Sequence, residues 1–488
     1  MKPILYIIMI LVLITSASAT DYYYCKGNGT NGDDANDCST PALACKTVID
    51  MNTKSLVAGD NVLFCKGGRW DLLDEPSVIN DLNGNSSGNI TYMSYGTGAK
   101  PIFTRSINDS TWTNLGSNIW KSDTTINDDV GLIIFNNDSS FGIKHSTLVG
   151  IDTQGDFFYN STDDKTYLYS ASNPSTYYTS IELSKKGNIF DLATGAHNIV
   201  IRDLDLRYSA KDAVFINSDT SYIYIINNSI SWIGGAYQSG SLRYGNCLEV
   251  VGAASKTSKY IYFLNNNINQ CYDAGVSWQS DTTVVNSNFS HHYYDYNIIS
   301  NTRYCYEFFQ HNSTSTTNDM IFDHNTCINS GGGFAGTSNG KGIRCGIQRG
   351  FTNITVTNNI FYNSTQYGIE FTFYVPFTNT TYNNNLFYED NSGDVLVYDG
   401  GTSYHYTAAD FSSYQGSTGL DSSSALGNPT FVSGTYQPDY NSPACAMSNT
   451  GSYVGALPCA NAPTPPITNI LFKIGNINLK IGSGRLWI

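Results

Sequence analysis

The chain has 488 residues, a formal net charge of −14 and only 14% charged residues, with 36 Tyr, 44 Gly and abundant Asn. This is a composition of strands and turns rather than of helices. The acidic balance argues against nucleic acid as a partner, because that binding rests on clustered Lys and Arg that displace counterions from phosphates.

At the N-terminus, Lys2 is followed by an apolar run from Ile4 to Ile14 and by Ser16-Ala17-Ser18-Ala19, the pattern of a signal peptide over residues 1–19. The run is shorter than the roughly 20 residues of a membrane-spanning helix, and no later stretch comes close. A secreted, soluble, monomeric chain with no membrane span is therefore expected. Eleven cysteines in an exported chain point to disulfides, with one left over or buried. Cys25, Cys38, Cys45 and Cys65 are placed to staple an N-terminal cap within residues 20–106, and Cys445 and Cys459 to close a C-terminal loop. For Cys247, Cys271, Cys305, Cys327 and Cys345, buried thiols are as much expected as bridges, and spacing does not fix any pairing. No Cys or His spacing suits zinc. Twelve Asn-x-Ser/Thr sequons occur, many of them expected by chance in so Asn-, Ser- and Thr-rich a chain, so glycosylation would follow the host.

Residues 107–190, with Trp112, Trp120 and a Tyr-rich alternation from Phe157 to Tyr178, read as a β-rich excursion. Residues 191–460 are governed by repeats. Asn198-Ile-Val-Ile-Arg-Asp-Leu, Tyr222-Ile-Tyr-Ile-Ile-Asn-Asn, Tyr260-Ile-Tyr-Phe-Leu-Asn-Asn, Asp319-Met-Ile-Phe-Asp-His-Asn and Asn353-Ile-Thr-Val-Thr-Asn-Asn each give a short alternating strand ending in Asn or Asp. Between them come Asp212-Ala-Val-Phe-Ile, Gly245-Asn-Cys-Leu-Glu-Val, Asp273-Ala-Gly-Val-Ser-Trp, Tyr304-Cys-Tyr-Glu-Phe-Phe and Tyr367-Gly-Ile-Glu-Phe. Such self-similarity marks a solenoid whose turns bury their apolar faces only by stacking. Asn at strand ends suits tight turns and rung-to-rung hydrogen bonding. Residues 461–488 read as a Pro-rich linker, Pro463-Thr-Pro-Pro, and a short β tail.

Together with Ala58-Gly-Asp-Asn-Val-Leu-Phe-Cys-Lys-Gly-Gly, Ile90-Thr-Tyr-Met-Ser-Tyr-Gly, Gly427-Asn-Pro-Thr-Phe and Ser442-Pro-Ala, the chain resembles the pectate-lyase-like superfamily over nearly all of its mature length. The resemblance implies an all-β, right-handed parallel β-helix with an N-terminal cap and an excursion, and a carbohydrate-active function, either glycosidase or polysaccharide lyase. These motifs are specific for architecture, not for reaction. The polygalacturonase signatures Asn-Thr-Asp, Gly-His-Gly and Arg-Ile-Lys are absent, as are the Arg-x-Pro-x-x-Arg element and the Asp-Asp calcium run of two lyase types. Given the acidic balance, a neutral polysaccharide or oligosaccharide fits better than a polyanion, unless calcium bridges the charge.

Ungapped alignment of the Gly-containing strands places Leu248, Val276, Tyr306 and Ile369 in one inward column, with Val250, Trp278, Phe308 and Phe371 two residues later. The residues between face outward: Glu249, Ser277, Glu307 and Glu370 in one exposed column, Asp212, Gly245, Asp273 and Arg303 in another. A glycosidase needs one carboxylic acid and one carboxylate flanking the bond, and Glu249, Asp273 and Glu307 on consecutive rungs supply candidates. Glu249 and Glu307, two rungs apart, would stand roughly 9 to 10 Å from each other, near the upper end of the inverting range. Trp232, Tyr244, Tyr272, His292 and Arg303 are the expected substrate contacts, through ring stacking and hydrogen bonds to hydroxyls. Any single surface acid or ring is as readily explained by solubility or packing. A hydrolase needs no cofactor and no metal. A lyase would use Lys341, Arg344 or Arg349 as base and hold Ca2+ through Asp273 or Asp323. A non-catalytic surface adhesin is the third reading, since fold alone does not give function.

Overall fold

The computed structural model describes residues 19–488 apart from 28–31, 74, 81–82, 281–282, 311, 313, 337–338, 346–350, 372–378, 391–394, 400–403, 448–452, 461–469, 475–476, 483–484 and 488. The expected signal peptide up to residue 18, the Pro463 linker and Arg349 lie outside the described residues.

Each repeat strand alternates because one face is buried. In Ser221–Ile226, Ile223 and Ile225 are fully buried while Ser221, Tyr222, Tyr224 and Ile226 face outward. So short a strand is not stable alone, and it pairs in parallel with the strands one rung before and after, so that Ile199, Ile223, Ile261, His292 and Met320 form one inward column. Among the described residues three such ten-stranded sheets run the length of the molecule. Sheet 1 runs from Asp21–Tyr24 to Thr380–Asn383, sheet 2 from Arg69–Asp71 to Ala425–Leu426, and sheet 3 from Val78–Asn80 to Val395–Asp399, where Tyr404–Thr407 adds antiparallel. The chain visits sheets 1, 2 and 3 in turn and returns one rung further on; parallel crossovers of this kind are right-handed as a rule. The fold is a parallel β-helix.

The corner between sheets 1 and 2 explains the Asn-Asn ends. Asn227, Asn265, Tyr296, His324 and Asn358 take left-handed φ values of 52° to 58°, which Asn adopts more easily than most residues. The residue after each turns inward as a buried Asn. The backbone N–H groups of Asn228, Asn266, Asn297, Asn325 and Asn359 donate to the side-chain oxygens of Asn266, Asn297, Asn325, Asn359 and Asn385 at 2.8 to 3.0 Å. Each amide Nδ2 also caps a backbone carbonyl of the preceding rung, as Asn297 does for Phe263 at 2.7 Å. Inside, apolar columns meet; Trp278 is fully buried with its ring 3.6 Å from that of Phe308, and Tyr294 stacks on Phe322 at 4.5 Å.

Between Ser106 and Lys185 the chain leaves the helix and forms two four-stranded antiparallel sheets. They enclose a core of their own, including Trp112, Val130, Ile133, Phe157, Leu168 and Leu183. This unit docks on sheet 2 through Leu132 and Ile134 against Tyr208 and Trp232. Gly131 permits the approach, since a Cβ there would lie 2.2 Å from the backbone nitrogen of Ala236. Disulfides join Cys25 to Cys65, Cys38 to Cys45, Cys247 to Cys271 and Cys445 to Cys459, leaving Cys305, Cys327 and Cys345 as buried thiols. The tail strands Ile470–Ile474, Ile477–Gly482 and Arg485–Trp487 form an antiparallel sheet. No described helix is long and apolar enough to cross a membrane.

Candidate functional site

The register of sheet 3 builds a ridge. Val214, Leu248, Val276, Tyr306, Ile343 and Ile369 pair as one inward column, so the next residues, Phe215, Glu249, Ser277, Glu307, Arg344 and Glu370, form the adjacent outward column. Glu249 and Glu307 are two rungs apart, with Ser277 between them. The rung of Lys341–Cys345 inserts Arg344 between Glu307 and Glu370. Ungapped alignment missed it because a longer loop precedes that strand, although Gly342-Ile-Arg-Cys matches Gly368-Ile-Glu-Phe in pattern. Asp212 stands two residues before its column member, whereas Gly245, Asp273 and Arg303 stand three before theirs. Asp212 therefore does not share their position, contrary to the alignment.

The acids are recessed rather than exposed. Glu307 is 2% exposed, Glu370 is buried, Asp212 is fully buried and Glu249 is half-buried. Glu307 accepts from Arg344 Nη1 at 2.5 Å, from Gln279 Nε2 at 3.1 Å and from Ser277 Oγ at 3.2 Å, a donor set that complements a carboxylate. Lys341 pairs with Glu370 at 2.7 Å. Arg303, Arg344 and Lys341 surround the buried Tyr304 ring at 4.9, 4.9 and 5.6 Å. Asp273 has a different environment. Its Oδ1 has no hydrogen-bond partner and lies 3.6 Å from Arg303 Nη1, while its side chain keeps 23% exposure. Burial, then the charges of Glu307 and Glu249, push its carboxyl up to about 7 against the pull of Arg303 and Arg344. Burial also raises Glu249, and burial together with Glu249 raises Asp212 well above the carboxylate range.

Of the expected substrate contacts, Tyr244, Tyr272 and Arg303 lie half-buried beside these acids. Two do not belong to the ridge. Trp232 is 5% exposed and packs beneath the excursion with Leu132, Ile134 and Tyr208. His292 is fully buried inside the helix, where Nδ1 meets Tyr294 Oη at 3.0 Å and Nε2 meets the Ser258 carbonyl at 3.1 Å, and burial drops it to about 3. His291 before it is left-handed with φ 55°, as Tyr222, Tyr260 and Asp319 are at the same place in their strands, and His292, the next residue, joins the inward column with Ile261 and Met320. Lys211 and Asp212, 3.9 Å apart and both acting on Glu249, were not among the expected contacts; an Asp immediately before a buried apolar strand was the available signal.

Asp273 and Asp323, the two carboxylates expected as alternative calcium ligands, have different surroundings. They lie on different sheets, Asp273 faces Arg303, and Asp323 is occupied by His324, Thr357 and Asn358. Among the described residues, the group with metal-ligating spacing is Cys38, Cys45 and Asp50, whose two cysteines are bonded to each other. A cavity of about 650 Å3 near Arg69, Glu75 and Glu182 lies apart from the ridge, and its charges pair with one another.

No family model matches the chain, nor does any curated protein. Solved structures that resemble it include a glycoside hydrolase, 8% identical over 78% of this chain and 95% of that one with a TM-score of 0.46. XylC in complex with xylose is 12% identical over 78% of this chain and 72% of that one, with a TM-score of 0.44. The pectate lyase Pel9A is 11% identical over 91% of this chain and 97% of that one, with a TM-score of 0.42.

Proposed function

We propose that this chain is a secreted glycoside hydrolase that cleaves a polysaccharide lying along the ridge of sheet 3. The observation that carries this reading is the contrast between Asp273 and Glu307. One carboxyl titrates near neutral pH with a free oxygen, while the other, on the next rung, is answered by a guanidinium and two neutral donors. Paired acids whose environments diverge in this way suit glycosidic cleavage. Protonated Asp273 gives its proton to the leaving glycosidic oxygen as the C–O bond breaks. Glu307, or Glu249 two rungs away from it, takes the proton of the attacking water or attacks the anomeric carbon itself. Tyr244, Tyr272 and Arg303 hold the flanking sugars.

A second reading, lyase chemistry, is favoured by Lys341, whose ammonium is shifted down by burial with Arg344 and Arg303 adding to the effect. Its engagement with Glu370 would have to break before it could act as a base. Digestion of a panel of neutral and uronic polysaccharides, with and without calcium, separates the readings. Reducing ends without ultraviolet absorbance, lost in Asp273→Asn and Glu307→Gln, are expected. Absorbance from an unsaturated product would transfer the case to the lyase. Binding without cleavage of any polymer would leave a glycan-binding surface protein.

A further inference from the structure

At the Glu249 end of the ridge cations gather around two tyrosine rings. Lys186, just past the excursion, and Lys211, beside Asp212, place their Nζ atoms 5.0 and 5.1 Å from the centre of one ring, Tyr244. Lys211 also lies 4.7 Å from the Phe215 ring. Arg243 stands 5.4 Å from Tyr272 and 5.1 Å from Tyr237, which Lys144 approaches at 4.4 Å. Like charges converge here although the whole chain carries −14.

The neighbouring carboxylates do not cancel them. Asp129 is committed to Lys144 at 2.5 Å and to the Tyr237 amide at 2.7 Å. Asp212 is 3.9 Å from Lys211, but burial and Glu249 favour its protonated form. Glu249, and Asp191 paired with Phe215 on the preceding rung, are left to answer Lys211. Lys144 is pushed down to about 8, by burial first and, against the pull of Asp129, by Arg243 and Lys186 as well. Aromatic faces and backbone carbonyls such as Tyr237 O, which accepts from Lys186 at 3.2 Å, hold these cations in place without neutralising them.

We propose that Lys186, Lys211 and Arg243 form a subsite, walled by Tyr244 and Tyr272, for a sugar unit bearing a carboxylate or a sulfate ester. This rests on the ridge being the glycan site, and it places the anionic unit beside Glu249. A sugar ring against the tyrosines brings its charged group to three cationic donors, and charge-assisted hydrogen bonds are the strong ones. The acidic remainder of the protein opposes this only weakly, since charges beyond about 10 Å are screened at roughly 0.1 M salt. The preference for neutral glycans drawn from net charge is thereby reversed: net charge averages over the surface, whereas the excursion and the rungs together gather cations at one place.

The test measures equilibrium binding of the full chain to matched probes: polygalacturonate against its fully methyl-esterified form, and dextran sulfate against dextran. One charged probe is expected to bind at least about tenfold tighter than its neutral counterpart, with affinity falling as salt rises; the pair showing this tells carboxylate from sulfate. Lys186→Gln/Lys211→Gln should lose about tenfold on that probe and change the neutral probe by less than about twofold, while Lys259→Gln on sheet 1 should change neither. Arg243→Lys, which keeps the charge, should retain part of the affinity lost in Arg243→Gln. Equal binding of charged and neutral probes, no binding of either charged probe, or an unaffected lysine double variant with a wild-type melting temperature would each overturn the subsite. Lysine-dependent binding without cleavage of any polymer would sink the hydrolase reading and keep the subsite. Asp273-dependent cleavage of neutral polymers alone would do the reverse.

Discussion

Asp273 couples the ridge to pH. Its carboxyl, raised to about 7, must carry a proton to act as general acid, so kcat/KM should fall as pH rises through about 7. Glu249 and Glu307 interact with it, so the apparent value belongs to the cluster. Asp273→Asn should lower kcat by about 100-fold or more and abolish that limb of the profile. The same shift has a stability consequence of definite sign. Between the ordinary Asp value of 3.8 and about 7 the folded state holds a proton that the unfolded state has lost. Stability contributed by this group is complete below the lower value and is lost as pH rises through the upper one. Melting temperature should therefore decline across that window, and less steeply in Asp273→Asn. The same pH dependence of melting temperature in Asp273→Asn as in the unaltered chain would contradict the raised value. At this scale period-two alternation placed Glu249 and Glu307 in one outward column, as the register of sheet 3 does, with Asp273 on the rung between them. It did not supply their depth, nor the partners Arg344 and Gln279, which arrive from neighbouring rungs.

The Asn ladder is the element that fixes the corner. Asn325 Oδ1 accepts from the Asn297 backbone N–H at 3.0 Å and from its side chain at 3.1 Å, while its own Nδ2 caps the Tyr294 carbonyl at 2.6 Å. Asn325→Ala strands these buried groups, and a loss of about 2 to 4 kcal/mol is expected in denaturant titration. Asn358→Ala, one corner on, removes a left-handed Asn with φ 57° but leaves the ladder intact, and should cost less, about 1 kcal/mol. The repeated Asn-Asn ends made this device readable, because a turn residue followed by a rung-to-rung hydrogen bonder recurs at each corner. The excursion was readable only as an interruption. Its docking through Leu132 and Ile134 onto Trp232 depends on contacts between segments roughly a hundred residues apart, and that docking removes Trp232 from the ridge.

Along the whole molecule, four disulfides and three buried thiols account for the eleven cysteines. Thiol titration of the native protein should find almost no reactive thiol, and unfolding without reductant should release three. Breaking Cys247–Cys271, which closes 24 residues next to Glu249, should cost about 3 kcal/mol by chain entropy. Free thiols at more than these three positions would contradict the pairing. The sequence by itself determined the solenoid, its strand faces and the column that carries Glu249 and Glu307, because alternation and the repeat are local and each rung restates them. Only the tertiary structure decided that His292 is inside, that the acids are recessed, that Arg344 faces Glu307 and that cations collect around Tyr244. Those outcomes depend on left-handed residues within the strands, on loop lengths that insert a rung, and on which distant segment packs against which, and no local pattern encodes them.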